Sequence, residues 1–110
     1  MNIDTMTVGE VKQIQSLLGP SGIAPHLWKI GQSYLIRTVT HYYTGKLVAV
    51  SAGELLLETA AWIADTGRYY DCLKKGTFNE VEPIIGSCII SRGAIVDGVE
   101  WQHELPLVQK

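Results

Sequence analysis

Trp62, Asp65, Thr66, Gly67 and Arg68 place several ligand-competent groups in one short stretch. An indole offers a flat face on which a base or another ring can stack. A guanidinium offers a planar fork that fits a phosphate or a carboxylate. A glycine-bearing turn exposes backbone N–H groups to an anion. The same residues also have a purely structural reading, with Trp62 in the core, Asp65 as a helix cap and Arg68 solvated or paired with Asp71. A second set lies along Arg37-Thr-Val-Thr-His-Tyr-Tyr43. In one extended strand, alternation puts Arg37, Val39, His41 and Tyr43 on one face and Ile36, Thr38, Thr40 and Tyr42 on the other. Neither face is cleanly apolar. Tyr42 and Tyr43 therefore suit a binding wall or a subunit interface, or else an ordinary solvated face. Arg92, Asp97, Trp101 and His103 form a third group, in which Arg92 and Asp97 are expected to pair across a bulge. The candidate ligand-binding residues are Trp62, Asp65, Thr66, Arg68, Arg92, Tyr42 and Tyr43, expected around one cleft.

Catalytic chemistry finds less support. His26, His41 and His103 lack metal-ligand spacing. No motif marks a Ser-His-Asp or Cys-His arrangement, and neither a phosphate-binding loop nor a dinucleotide fingerprint is present. Glu54, Glu58, Glu80, Glu82 and Glu100 read as solvated strand or turn residues. The expectation is a binding protein with no catalytic residue, metal or cofactor.

The elements that would hold these groups follow from the pattern. A chain of 110 residues with 46% hydrophobic content is expected to make one globular domain. A net charge of −2 shows no basic excess, so nucleic acid is a disfavoured partner. Cys72 and Cys88 form no CxxC and read as a reduced pair. Met1 to Met6 lacks the basic-then-apolar pattern of a secretory signal. No apolar run approaches the roughly 18 residues of a membrane helix. A cytoplasmic protein is expected, inside the host cell if phage-encoded, with a virion location as the alternative.

Thr7-Val-Gly-Glu10 fits a capping box, and Val8, Val11, Ile14, Leu17 and Leu18 share one helical face before Gly19-Pro20. A helix over residues 8–18 is predicted, then a linker in which Trp28 packs onto the rest. Tyr34–Tyr43, Lys46–Val50 and Leu55–Glu58 are predicted strands, with turns at Thr44-Gly45-Lys46 and Ser51–Glu54. A helical insertion is expected over about residues 60–76, with Arg68–Lys75 stopped by Gly76. Asn79–Pro83 reads as an edge strand. Cys88–Ile90 and Ala94–Trp101 complete the sheet, and residues 102–110 read as a polar tail. Together these give a mainly β (α+β) domain, a small bent barrel over residues 32–101 with an N-terminal helix.

Gly45-Lys-Leu-Val-Ala-Val-Ser-Ala-Gly-Glu-Leu-Leu-Leu57 and Ser91-Arg92-Gly93-Ala94-Ile95-Val96 resemble the two motifs of the Sm-like family. The resemblance covers about residues 7–58 and 87–100, and it implies a strongly bent five-stranded barrel and a habit of forming rings. Ser91 replaces the isoleucine of the second motif, and the family's nucleotide-binding Asp and Asn are not recognisable in Ser51–Glu58, so no uridine site is carried over. Arg37-Thr-Val-Thr40, Tyr43-Thr-Gly45, Ala61–Arg68, Asn79–Pro83 and Arg92–Asp97 resemble a family of small phage and prophage proteins of unknown function. That resemblance implies a phage-related origin and supplies no activity.

The function expected is that of a non-enzymatic, phage-type accessory protein. It would form a homo-oligomer and bind or sequester a nucleotide-like ligand of host defence. A virion structural protein, for a capsid or head–tail role, and an Sm-like RNA binder are the alternatives.

Overall fold

The computed structural model describes residues 25–110; the helix predicted over residues 8–18 lies outside them. Six strands form one antiparallel sheet: β1 (Ser33–Thr38), β2 (Tyr42–Val50), β3 (Glu54–Asp65), β4 (Glu80–Pro83), β5 (Cys88–Ser91) and β6 (Ile95–Glu100). One helix, α1 (Tyr69–Lys75), lies between β3 and β4, and a single 3-10 turn, Arg92–Ala94, links β5 to β6. The strand order is β4-β3-β2-β1-β6, with β5 paired to β3 as well. β3 has two successive partners on one side. Its first residues, Glu54–Leu57, pair with β5, and Ala61–Asp65 pair with β4. The domain is thus mainly β, with a bent sheet; among the described residues no ladder joins β6 to β4 or β5, so the sheet does not close.

The bend comes from irregularities in β3. Thr44 faces Ala61, but Lys46 faces Glu58, so β3 carries an extra residue there. Thr59 takes a left-handed backbone with φ 52°. Such a bulge re-aims the side chains that follow it. Leu57 and Ala60 therefore point to the same face, despite their odd spacing, and both belong to one buried cluster with Tyr34, Ile36, Leu47, Val50, Leu55 and Ile90. The other face of the sheet buries Leu35, Ala61 and Ile63 against Cys72, Phe78, Val81 and Trp101. Burial on both faces explains why Ala60-Ala61 show no alternation.

The first hairpin differs from expectation. The chain turns at Thr38–His41, and Thr44-Gly45-Lys46 runs through the middle of β2. Thr38 holds the turn: its Oγ1 donates to the His41 carbonyl at 2.8 Å and accepts the His41 N–H at 2.9 Å. Gly45 serves a strand instead of a turn, because a Cβ there would stand 3.0 Å from the Leu57 Cβ. The alternation read across Tyr34–Tyr43 fails at this turn. Arg37 is the register partner of Tyr42, and Ile36 that of Tyr43.

The insertion is also corrected. Residues 60–65 continue β3, and the helix starts at Tyr69. It ends as predicted at Gly76, whose φ of 73° is left-handed and whose N–H donates to the Cys72 carbonyl. β4 stands at an end of the strand order, as its proline suggested. The tail is not a loose polar segment. Leu105 packs on the second cluster, the Trp101 indole N–H donates to the Glu104 carbonyl, and Lys110 and Val81 exchange backbone hydrogen bonds at 3.0 Å along the β4 edge.

Candidate functional site

One row of side chains crosses the first face. Ile36 of β1 pairs with Tyr43 of β2, Tyr43 with Trp62 of β3, and Trp62 with Glu82 of β4. Ile36 is fully buried, Tyr43 is partly buried against the first cluster, and Trp62 is 38% exposed. The row therefore climbs from the core to the surface, and its outer end is an aromatic shelf. His41 completes the shelf. Its ring meets Trp62 edge-on, with centroids 5.2 Å apart at 76°, and leans on Tyr43 at 6.2 Å. The Thr40 hydroxyl sits 2.7 Å from His41 Nδ1, and its hydrogen bond orients the imidazole.

Glu82 borders the shelf and is held by the tail. Gln109 Nε2 donates to both carboxylate oxygens, at 3.1 and 3.2 Å. The backbone exchange between Val81 and Lys110 sets Gln109 beside Glu82. A carboxylate thus lies next to an exposed indole on two adjacent strands, where cross-strand neighbours stand roughly 5 Å apart.

The other expected site residues divide among three places. Asp65 and Thr66 build the turn after β3. Asp65 Oδ1 accepts the Gly67 N–H at 2.8 Å, its carbonyl accepts the Asn79 N–H at 2.9 Å, and Thr66 Oγ1 donates to the Gly67 carbonyl at 2.8 Å. Asp65 is not a helix cap; Arg68 occupies the N-cap position of α1 with no side-chain capping bond. Arg68 is exposed and pairs with no described residue; it starts the helix that packs on the second face, away from Trp62. Arg92 follows β5, at the opposite end of β3 from Trp62, and donates to the Ser51 carbonyl at 2.8 Å. Tyr42 faces the second side, where its ring lies 6.2 Å from that of Tyr69. Of the seven candidates, the structure brings Tyr43 to Trp62; Asp65 and Thr66 share the turn before α1, and Arg68, Tyr42 and Arg92 stand away from the Tyr43–Trp62 pair.

Asp97 does not pair with Arg92. Its Oδ2 accepts from Arg37 across the β1–β6 ladder, and that hydrogen bond holds the Arg37 guanidinium above its ordinary pKa. Burial, followed by the nearby Asp97 charge, pushes the Tyr69 phenol up. His103 and Trp101 are structural. His103 Nε2 lies 2.7 Å from the Leu73 carbonyl, and Trp101 stacks on Phe78 at 5.1 Å. Both cysteines are free thiols, and burial pushes Cys72 up to about 11. Among the described residues no helix is long and apolar enough to cross a membrane.

No family model, no curated protein and no solved structure matches the chain.

The arrangement can stack a flat ring on Trp62 and accept hydrogen bonds at Glu82. The charged groups expected to meet phosphate are elsewhere, at Arg68 and Arg92. Sequence reasoning missed Glu82 and Gln109. Glu82 sat inside an anticipated edge strand, but only the β3–β4 register puts it beside Trp62. Gln109 carried no signal, because a residue so late in a polar tail has no periodicity to place it.

Proposed function

We propose that the chain is a non-enzymatic binding protein that stacks the ring of a nucleotide-like ligand on the Tyr43–Trp62–His41 shelf. One observation carries the reading: Trp62 keeps 38% of its surface exposed in a row that starts from the buried Ile36 and the partly buried Tyr43. A large apolar ring left in solvent beside oriented polar groups suits a stacking site better than a core position. Among the described residues the arginines lie away from the shelf, which favours contact through the base over contact through phosphate. The phage-type accessory role and the sequestering of a host-defence ligand rest on the sequence resemblance alone.

Self-association belongs to the same proposal. The outer edges of β5 and β6 take part in no ladder among the described residues, and Ile89 and Val96 on those strands are 65% and 52% exposed. Unpaired edges with apolar side chains favour joining to another copy. Ring formation of the Sm-like kind, and closure of the bent sheet into a barrel there, are the finer form of this proposal.

Calorimetric titration with mononucleotides tests the binding reading. Wild type should bind a purine mononucleotide, and Trp62→Ala should lose that binding at an unchanged melting temperature. Absence of any binding, or equal binding by Trp62→Ala, overturns the shelf. Preference for an RNA oligomer with affinity falling steeply with salt would make the chain an RNA binder instead. Light scattering that gives the monomer mass across micromolar concentrations overturns the oligomer.

A further inference from the structure

Gln109 Nε2 donates to both Glu82 oxygens, at 3.1 and 3.2 Å, and so takes the side of the carboxylate where the two oxygens converge. The acceptor positions left over point apart. Glu82 therefore cannot grip paired donors on one ring edge; what it offers a ligand is its charge. That charge survives the hydrogen bonds, because the amide that makes them carries none. Among the described residues the ion pairs are Lys29–Glu100 and Arg37–Asp97, and Glu82 is in neither. As the register partner of Trp62, Glu82 stands at the border of the stacking surface. Trp62 adds an attraction of the same kind. The face of an indole is the negative side of its quadrupole and draws cations. Among the described residues, the ring packed on Trp62 is that of His41, and it stands at 76° to the indole, so no parallel ring covers that face.

Resting on the stacking reading above, we propose that Trp62 and Glu82 together select flat rings that carry a positive charge. A neutral ring laid on the indole strips water from the nearby carboxylate and returns no charge to it, which costs binding. A cationic ring meets the carboxylate as a counter-ion and the indole face as a cation–π partner. Neither attraction needs an N–H group, so the divergent acceptors of Glu82 are no handicap. Two kinds of nucleoside have this chemistry: a pyridinium nucleoside, and a purine methylated on a ring nitrogen. Glu82 is a specificity residue for charge, and the Gln109 amide holds it beside the ring.

The test is titration of the full chain with two matched pairs of ribosides at low ionic strength, where screening is weak. Nicotinamide riboside is cationic, and the riboside of its pyridone is flat and neutral. N1-methyladenosine is cationic near neutral pH, and N6-methyladenosine carries the same methyl group on a neutral base. In at least one pair, wild type should bind the cationic member about tenfold more tightly than the neutral one. The pair with the larger ratio names the source, pyridinium or methylated purine. Glu82→Gln should cut that ratio at least about threefold while the melting temperature holds. Added salt should shrink it in wild type, a readout that needs no variant. If cationic and neutral members bind equally and Trp62→Ala loses them all, the shelf stands and selection by charge is overturned. If Glu82→Gln or added salt leaves the full ratio in place, the role of Glu82 is overturned. If no member of either pair binds, the stacking reading itself fails and takes this one with it.

Discussion

Gly45 lies against Leu57 so closely that a Cβ on Gly45 would stand 3.0 Å from the Leu57 Cβ and 3.3 Å from that of Ala60. The glycine is opposite the bulge that lets Leu57 and Ala60 share one face. A methyl group has no room there, because both neighbours are backbone-anchored Cβ atoms. Gly45→Ala should cost about 1–3 kcal/mol through overpacking. Chemical denaturation of the variant checks this; a cost near zero would mean that β2 and β3 can separate at the bulge.

Thr44, on the other face of the same strand, is fully buried, and its hydroxyl has no hydrogen-bond partner among the described residues. Its register partners are Leu35 and Ala61, both apolar. Thr44→Val keeps the shape and removes the unsatisfied oxygen. Stability should rise by about 1 kcal/mol, read as a higher denaturation midpoint at an unchanged slope. A fall would point to a buried water bonded to Oγ1.

Trp101 anchors the tail through Phe78, His103 and the Glu104 carbonyl. Trp101→Ala should cost about 3–5 kcal/mol. It should also loosen the segment that leads to Gln109. Hydrogen exchange should then speed up at the Val81 amide, which bonds Lys110, more than at amides within the β1–β2 ladder. Uniform acceleration would show that the tail and the sheet open as one unit.

The Cys72 thiol sits at about 11 in the fold, above its ordinary value of 9.0, because burial disfavours the thiolate. Below about pH 9 both the folded and unfolded states hold the proton, and stability is unaffected. Between about pH 9 and about pH 11 the unfolded state loses the proton first, so stability falls as pH rises. Cys88 and Tyr69 are shifted upward as well and add to the same trend. Thermal melts from about pH 8 to about pH 11 should decline less steeply for Cys72→Ala than for wild type. Parallel curves would remove Cys72 as a contributor.

Much of the fold was legible. The Gly76 stop, the Asp65-Thr-Gly67 turn, the β4 edge and the β5–β6 region all follow from local chemistry that acts within a few residues. What misled was a pattern with two local meanings. Thr44-Gly45-Lys46 resembles a turn, yet the glycine is there for a neighbour twelve residues away, Leu57. The real turn at Thr38–His41 contains neither glycine nor proline and is held by one threonine hydroxyl. Residues 60–65 lost their strand signature because Ala60 to Ala64 are apolar throughout, although Trp62 and Ala64 are exposed and Ala61 and Ile63 buried. The site was half legible. Tyr43 and Trp62 stood out as aromatics, but their partnership with Glu82 depends on register, which a bulge shifts without a mark in the sequence. Arg92 and Asp97, close in sequence, find their partners in distant segments, Ser51 and Arg37.

β1 lies between a partner that follows it at once and another that comes near the far end of the chain: β2 is joined to it by a four-residue turn, whereas β6 begins at Ile95. During synthesis β1, β2 and β3 can assemble as a meander as soon as they emerge. One flank of β1 then waits, with its backbone groups open, while α1, β4 and β5 are made. Late-closing pairings of this kind slow folding and leave an adhesive strand in the interim. The interval between translation of Thr38 and translation of Glu100 is therefore the period in which this chain most needs protection from its own copies.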